Sequence, residues 1–112
     1  MQPDDRIRLQ HMLDAAQEAI SFAKGLDRNG FTNDRMRVLS VVKSIEIIGE
    51  AAAKVTSVVK QQAKQIPWDD ITGMRNRLIH AYYDVNLEVV WQTVQTDLPT
   101  LVPQLKKLLG TQ

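Results

Sequence analysis

Apolar residues recur at three- and four-residue steps along almost the whole chain, which commits it to helices. Leu9, Met12, Leu13, Ala16, Ala19, Ile20 and Ala23 form the stripe of a first amphipathic helix, expected from about Asp4 to Lys24. Gly25 is a natural stop, and Arg28-Asn29-Gly30 reads as a turn. Thr32 or Asn33 is placed to cap a second, long helix reaching Ser57. Its apolar positions are Met36, Leu39, Val41, Val42, Ile45, Ile48, Ala52 and Val55, and a short further helix is expected over Val58 to Gln65.

Pro67 disfavours helix at Ile66, so a third helix is expected to start at an Asp69 or Asp70 cap. It runs through Ile79 or His80, with Ile71, Met74 and Leu78 as its stripe. Tyr82 to Val85 reads as a connection, and Asn86 caps a fourth helix that buries Leu87, Val90, Trp91, Val94 and Leu98. Pro99 and Pro103 allow a kink or restart before Leu105 to Leu109. No stretch alternates long enough to argue for a strand. The expected fold is all-α: an up-down antiparallel helical bundle, one domain over 1–112.

Charge and composition narrow the function. Lys and Arg exceed Asp and Glu by only one, against a strongly basic binder or an acidic tail. With no cysteine there is no thiolate nucleophile, disulfide or Cys-ligated metal. No His, Asp and Glu cluster has convincing metal spacing, and no cofactor is implied. The apolar runs are too short to span a membrane, and Met1 to Arg6 has no apolar signal core, so a cytoplasmic protein is expected.

The segment from Gly73 to Asp84 is unusual. It sets Arg75, Asn76, Arg77, His80, Tyr82 and Tyr83 on and just beyond one helix end. If the helix continues, Asn76 and His80 share a stripe, with Arg75 about 140° from His80. A His titrates near neutral pH and can take and return a proton. An Arg presents a permanently charged fork of donors that matches phosphate oxygens, and an Asn can orient either group. Such a set suits a phosphodiester, the base activating a ribose 2′-hydroxyl and the Arg stabilising charge on the phosphoryl oxygens. By spacing alone, a His capping the helix end beside solvated arginines is the simpler reading.

The run Arg75-Asn76-Arg77-Leu78-Ile79-His80-Ala81-Tyr82 resembles the Arg-x4-His-x-Tyr motif of HepT-like proteins, a branch of the HEPN superfamily. Arg6 to Leu13 resembles that family's opening helix, and Ser44 to Ala52 resembles its Glu-Ile-Ile-Gly-Glu-Ala run. Ile66-Pro67-Trp68, with Ile71 and Gly73 to Asn76, resembles the approach to the motif. Val85 to Trp91 and Asp97-Leu98-Pro99 resemble the family's stretch on the C-terminal side of the motif.

The resemblance implies a homodimer whose motif helices face each other across a cleft. It implies a metal-independent endoribonuclease toxin with RNA, not DNA, as substrate. Arg75 and His80 would be the catalytic pair, supported by Asn76. The implied partner is a minimal nucleotidyltransferase antitoxin of the MntA type, which silences the nuclease by transferring AMP from ATP onto Tyr82. Tyr83 sets a second hydroxyl beside that acceptor. A non-catalytic helical module that docks a nucleotidyltransferase is the alternative.

Other residues have weaker assignments. Glu46 and Glu50 lie one turn apart: either a carboxylate pair near the site or part of a solvated face with Lys43 and Lys54. Arg75 and Arg77 could supply part of a positive path for RNA; Arg35, Arg37, Lys60 and Lys64 either extend it or, the simpler reading, solvate helix surfaces. Met12, Met36 and Trp91 read as core, Trp68 as a packing staple, His11 as a surface or interface residue, and Asp69 and Asp84 as cap and turn residues.

Overall fold

The structure is a computed structural model and describes residues 1–81 and 84–110, with only the backbone of His80 and Ala81. Two long helices form its spine. α1 (Pro3–Ala23) starts with Pro3 at its first turn and with Asp4 and Asp5 beside the positive end of the helix dipole. It ends before Gly25, whose φ of 81° is the left-handed conformation that a glycine enters without strain. α3 (Arg35–Lys54) runs back along it. Arg37 at the start of α3 donates to the Phe22 carbonyl (2.8 Å), and Asp5 at the start of α1 accepts from Thr56 beyond the end of α3.

The cap of α3 differs from expectation. Arg28 to Thr32 is not a turn but a short helix, α2 (Arg28–Thr32), capped by Asp27 on the Gly30 N–H (2.7 Å). Thr32 is consumed inside α2 and Asn33 closes it, so capping of α3 falls to Asp34, which accepts from the Arg37 N–H (3.2 Å).

The apolar face of α3 is narrower than its sequence suggests. Val38, Val41, Ile45, Ile48 and Ala52 are fully buried against Leu9, Met12, Ala16 and Ala19 of α1. Met36 is 81% exposed and Leu39 43% exposed, against the expectation that both are core. Met36 lies two residues before Val38, about 160° round the helix, so it faces out when Val38 faces in.

α4 (Ser57–Gln62) is the short helix expected after α3. The expected third helix is two: α5 (Trp68–Thr72) and α6 (Met74–Leu78), broken at Gly73. Trp68 is buried, and its indole N–H donates to the Ala63 carbonyl (3.1 Å), the packing role expected of it. The chain then turns extended. β1 (Ile79–Ala81) pairs antiparallel with β2 (Asp84–Val85), a small hairpin where no strand was expected. The Asn86 N–H takes the Leu78 carbonyl (2.7 Å), so the returning chain supplies the donor that a continuing helix would have supplied.

α7 (Leu87–Gln92) is capped as expected by Asn86, which accepts from the Val89 N–H (3.2 Å). Leu87, in its first turn, is 38% exposed rather than buried; Val90, Val94 and Leu98 are buried, and half-buried Trp91 meets Phe31 at 5.5 Å between ring centres. A π-helical turn over Thr93–Asp97 leads into α8 (Leu98–Leu109). Pro99 cannot donate to a helical carbonyl behind it, and the wider turn accommodates it without a break, Asp97 and Leu98 both staying right-handed helical; against the expected restart, α8 also runs on through Pro103. α8 lies along α1, with Arg6 donating to the Leu109 carbonyl (3.1 Å). The architecture is therefore the expected all-α, up-down arrangement with one contiguous apolar core. Among the described residues no helix is long and apolar enough to cross a membrane.

Candidate active site

α6 presents the arginines. Its Met74 and Leu78 are buried at 3% and 0% exposure, which leaves Arg75, Asn76 and Arg77 facing outward. Arg75 and Arg77, two positions apart, point about 160° away from each other. Arg75 faces α3, where its Nε lies 3.8 Å from Glu46 Oε1. That is an ion pair rather than a hydrogen bond. Arg77 faces the other way and donates to the Asp70 carbonyl (3.2 Å).

Gly49 explains how α6 comes so near α3. A Cβ at Gly49 would sit 3.4 Å from the Ile71 carbonyl oxygen and 3.5 Å from that of Thr72. The last turn of α5 thus rests directly on the bare backbone of α3. Glu46 lies one turn before Gly49, at the level where α6 begins. The Glu-Ile-Ile-Gly-Glu run therefore seats α5 and α6 through its glycine and meets Arg75 through its first carboxylate.

Glu46 and Glu50 separate. Glu50 lines a small cavity of about 110 Å³ with Arg8, His11, Ile47, Ala51 and Lys54 on the α1 side. The expected ion pairs of Lys43, Glu46, Glu50 and Lys54 are absent among the described residues, and Glu46 pairs with Arg75 instead. His11 is exposed, as expected.

His80 is not on a helix. β1 pairs Ile79 with Val85 and Ala81 with Asp84, so His80 is the extra residue of a bulge. The shared helical stripe of Asn76 and His80 therefore does not form, because the helix ends at Leu78. The side chain of His80 and the whole of Tyr82 and Tyr83 lie outside the described residues. Among the expected basic residues, Arg37 is bound by Asp34 and Phe22 at the far end of α3, whereas Lys60 and Lys64 line a groove beside Trp68.

A carboxylate with a shifted pKa lies away from these residues. Asp5, 2% exposed, accepts the Thr56 hydroxyl (2.6 Å) and the Thr56 N–H (2.9 Å), which hold its carboxyl below the usual carboxylate range.

The sequence did not single out Gly49 as a contact, nor Asp97 as a cavity residue. A glycine within an otherwise strong helical run was the available signal for the first. The second depends on the α5–α8 packing and had none.

A family model described as ribonuclease HepT-like matches residues 12–108. A protein of Caldanaerobacter subterraneus subsp. tengcongensis, provisionally designated an RNase, is 35% identical over 90% of each chain. The probable ribonuclease HepT of Thermococcus cleftensis is 33% identical over 89% of this chain and 91% of its own. A provisionally designated RNase of Methanocaldococcus jannaschii is 31% identical over 92% of this chain and 94% of its own. No solved structure matches. The chain belongs to the ribonuclease HepT-like family and is, by that membership, a ribonuclease.

Proposed function

We propose that this chain is the endoribonuclease toxin of a HepT/MntA-type toxin–antitoxin pair, cleaving RNA without a metal at a homodimer cleft. The observation that carries the reading is Arg75. It is 55% exposed, steadied by Glu46, and lies five residues before His80 within the family-matched segment. An arginine held at one point of its guanidinium keeps its remaining donors for a phosphate. In this reading His80 takes the proton of a ribose 2′-hydroxyl. The 2′-oxygen attacks phosphorus, the P–O5′ bond breaks, and the leaving 5′-oxygen receives a proton. The products are a 2′,3′-cyclic phosphate and a 5′-hydroxyl. Arg75 neutralises charge on the non-bridging oxygens as the fifth bond forms, and Asn76 orients the pair.

The dimer brings the two α6 segments together, so each copy adds positive charge to one RNA path. Silencing comes from chemistry at Tyr82. Its phenolic oxygen attacks the α-phosphorus of ATP on the nucleotidyltransferase, pyrophosphate leaves, and the phenolic proton passes to a base of that enzyme. The AMP group adds negative charge and bulk beside the phosphate clamp, and both disfavour RNA. Tyr83 is the neighbouring acceptor that the experiment must separate.

The test is growth of a bacterial host on induction of wild type, His80→Ala or Tyr82→Phe, each with and without the nucleotidyltransferase. Arrest by wild type alone, relieved by His80→Ala or by the partner, is expected. Tyr82→Phe should stay toxic in the partner's presence. Growth of every strain contradicts the toxin reading. Rescue of Tyr82→Phe with AMP mapped to Tyr83 contradicts the assignment of Tyr82.

A further inference from the structure

Behind Arg75, on the opposite side of α6, lies a cavity of about 350 Å³ between α5, α6 and the first turns of α8. Its volume is in the range of small-ligand sites. Ile71, Met74, Leu98 and Leu101 form its floor, with Arg77, Asp70, Asp97 and Gln104 on its rim. The carboxylates of Asp70 and Asp97 have no hydrogen-bond or ion-pair partner among the described residues. The π-helical turn ends at Asp97, the kind of irregularity that recurs at functional sites.

A second groove, lined by Lys60, Lys64 and Trp68, shares Pro67 and Asp70 with the cavity. The two form one track across the α5 end of the molecule. Lys60 and Lys64 stand at one end, where Asp69 and Asp70 also line the groove, Arg77 is on the rim next to α6, and Asp97 lies over the apolar floor.

The cavity itself, with Asp97 and Asp70 over an apolar floor, limits what enters it. Carboxylates repel a phosphate and accept only from N–H or O–H donors. The apolar floor favours a flat ring, and the lysines favour the backbone that carries it. We propose that the cavity seats one guanine of a single-stranded RNA, with its flanking phosphates on Lys60, Lys64 and Arg77. Guanine carries N1–H and N2–H donors for Asp97 or Asp70, and O6 and N7 acceptors for the Gln104 amide, whose Nε2 otherwise reaches the Gln65 carbonyl at 3.5 Å. The inference rests on the ribonuclease reading for its substrate, and its test reads binding separately from cleavage.

The probe is a fluorescent oligouridylate carrying one guanosine, compared with the all-uridine strand. Binding is measured by anisotropy on the His80→Ala protein, then on that protein with Asp97→Asn, with Thr100→Trp, or with Lys64→Ala added. Thr100 is an exposed rim residue, so its replacement by Trp obstructs the cavity without touching the core. The guanosine strand should bind about tenfold tighter than the all-uridine strand. That preference should vanish with Asp97→Asn and with Thr100→Trp. Lys64→Ala should weaken both strands equally and lower the slope of log K against log salt by about 0.7. Circular dichroism checks that every variant is folded.

Equal binding of the two strands, or a preference that survives both Asp97→Asn and Thr100→Trp, overturns the inference. So does shielding of this face by a protein partner in a complex that still binds guanosine strands selectively. Selective binding without any cleavage by the wild-type protein leaves this site standing and removes the ribonuclease reading instead.

Discussion

Arg75 of α6 and Glu46 of α3 form an ion pair, Nε to Oε1 at 3.8 Å, between segments that the sequence separates by 29 positions. The guanidinium is about half exposed and the carboxylate about one quarter. Exposed pairs of this kind contribute at most about 1 kcal/mol to stability. Its consequence is directional: it holds Arg75 toward α3 at the start of α6.

Glu46→Gln should therefore separate activity from stability. RNA cleavage is expected to fall about tenfold, while the melting midpoint moves by no more than a few degrees. Side-by-side single-turnover cleavage and thermal unfolding check this. Unchanged cleavage would show that Arg75 does not need Glu46.

Gly49 tests the close approach. Gly49→Ala places a methyl group at ordinary contact distance, 3.4 Å from the Ile71 carbonyl, and should leave stability unchanged or raise it by up to about 1 kcal/mol, since glycine inside a helix is unfavourable. Gly49→Leu has no room there and should push α5 and α6 off α3, with lost cleavage and lower stability. Urea denaturation and the cleavage assay on both variants measure this.

The Asp5–Thr56 contact gives a pH dependence of known sign. The folded-state pKa of Asp5 is depressed, so its stabilisation is complete above the unfolded value of about 4 and is lost as pH falls through the folded value. Asp5→Asn should lower the melting temperature at pH 7. The gap to wild type should narrow below about pH 4. A gap that stays constant with pH would remove the carboxylate from the explanation.

Core truncation should be costly where α1 and α3 meet. Ile45 is fully buried, and Ile45→Ala should cost about 2–5 kcal/mol. Met36→Ala, at an 81% exposed position, should change stability by less than about 0.5 kcal/mol. Equilibrium denaturation of the two variants distinguishes the core face of α3 from its outer face.

Helix content was legible because the periodicity of Leu9 to Ala23 and of Val38 to Ala52 leaves no alternative element. The phase of α3 was less legible. Met36 and Leu39 are apolar and well spaced, but only the packing against α1 shows that Val38 and Val41 take the core face. The end of α6 was illegible for a similar reason. Its carbonyl partner, the Asn86 N–H, comes from across the hairpin, and local spacing carries no record of it. Of the candidate site, the residue types of Arg75, Asn76 and Arg77 were visible at once. The divergence of the two arginines comes from helix geometry, but what each one faces required the positions of Glu46 and Asp70.

Cleavage of a labelled single-stranded RNA in excess chelator tests the mechanism most directly, with wild type, Arg75→Ala and His80→Ala purified in parallel. Wild type should release fragments ending in a 2′,3′-cyclic phosphate. Each variant should lose that activity by about a hundredfold or more while keeping its helical circular dichroism. Equal cleavage by wild type and His80→Ala, or loss of wild-type activity on chelation, would contradict it.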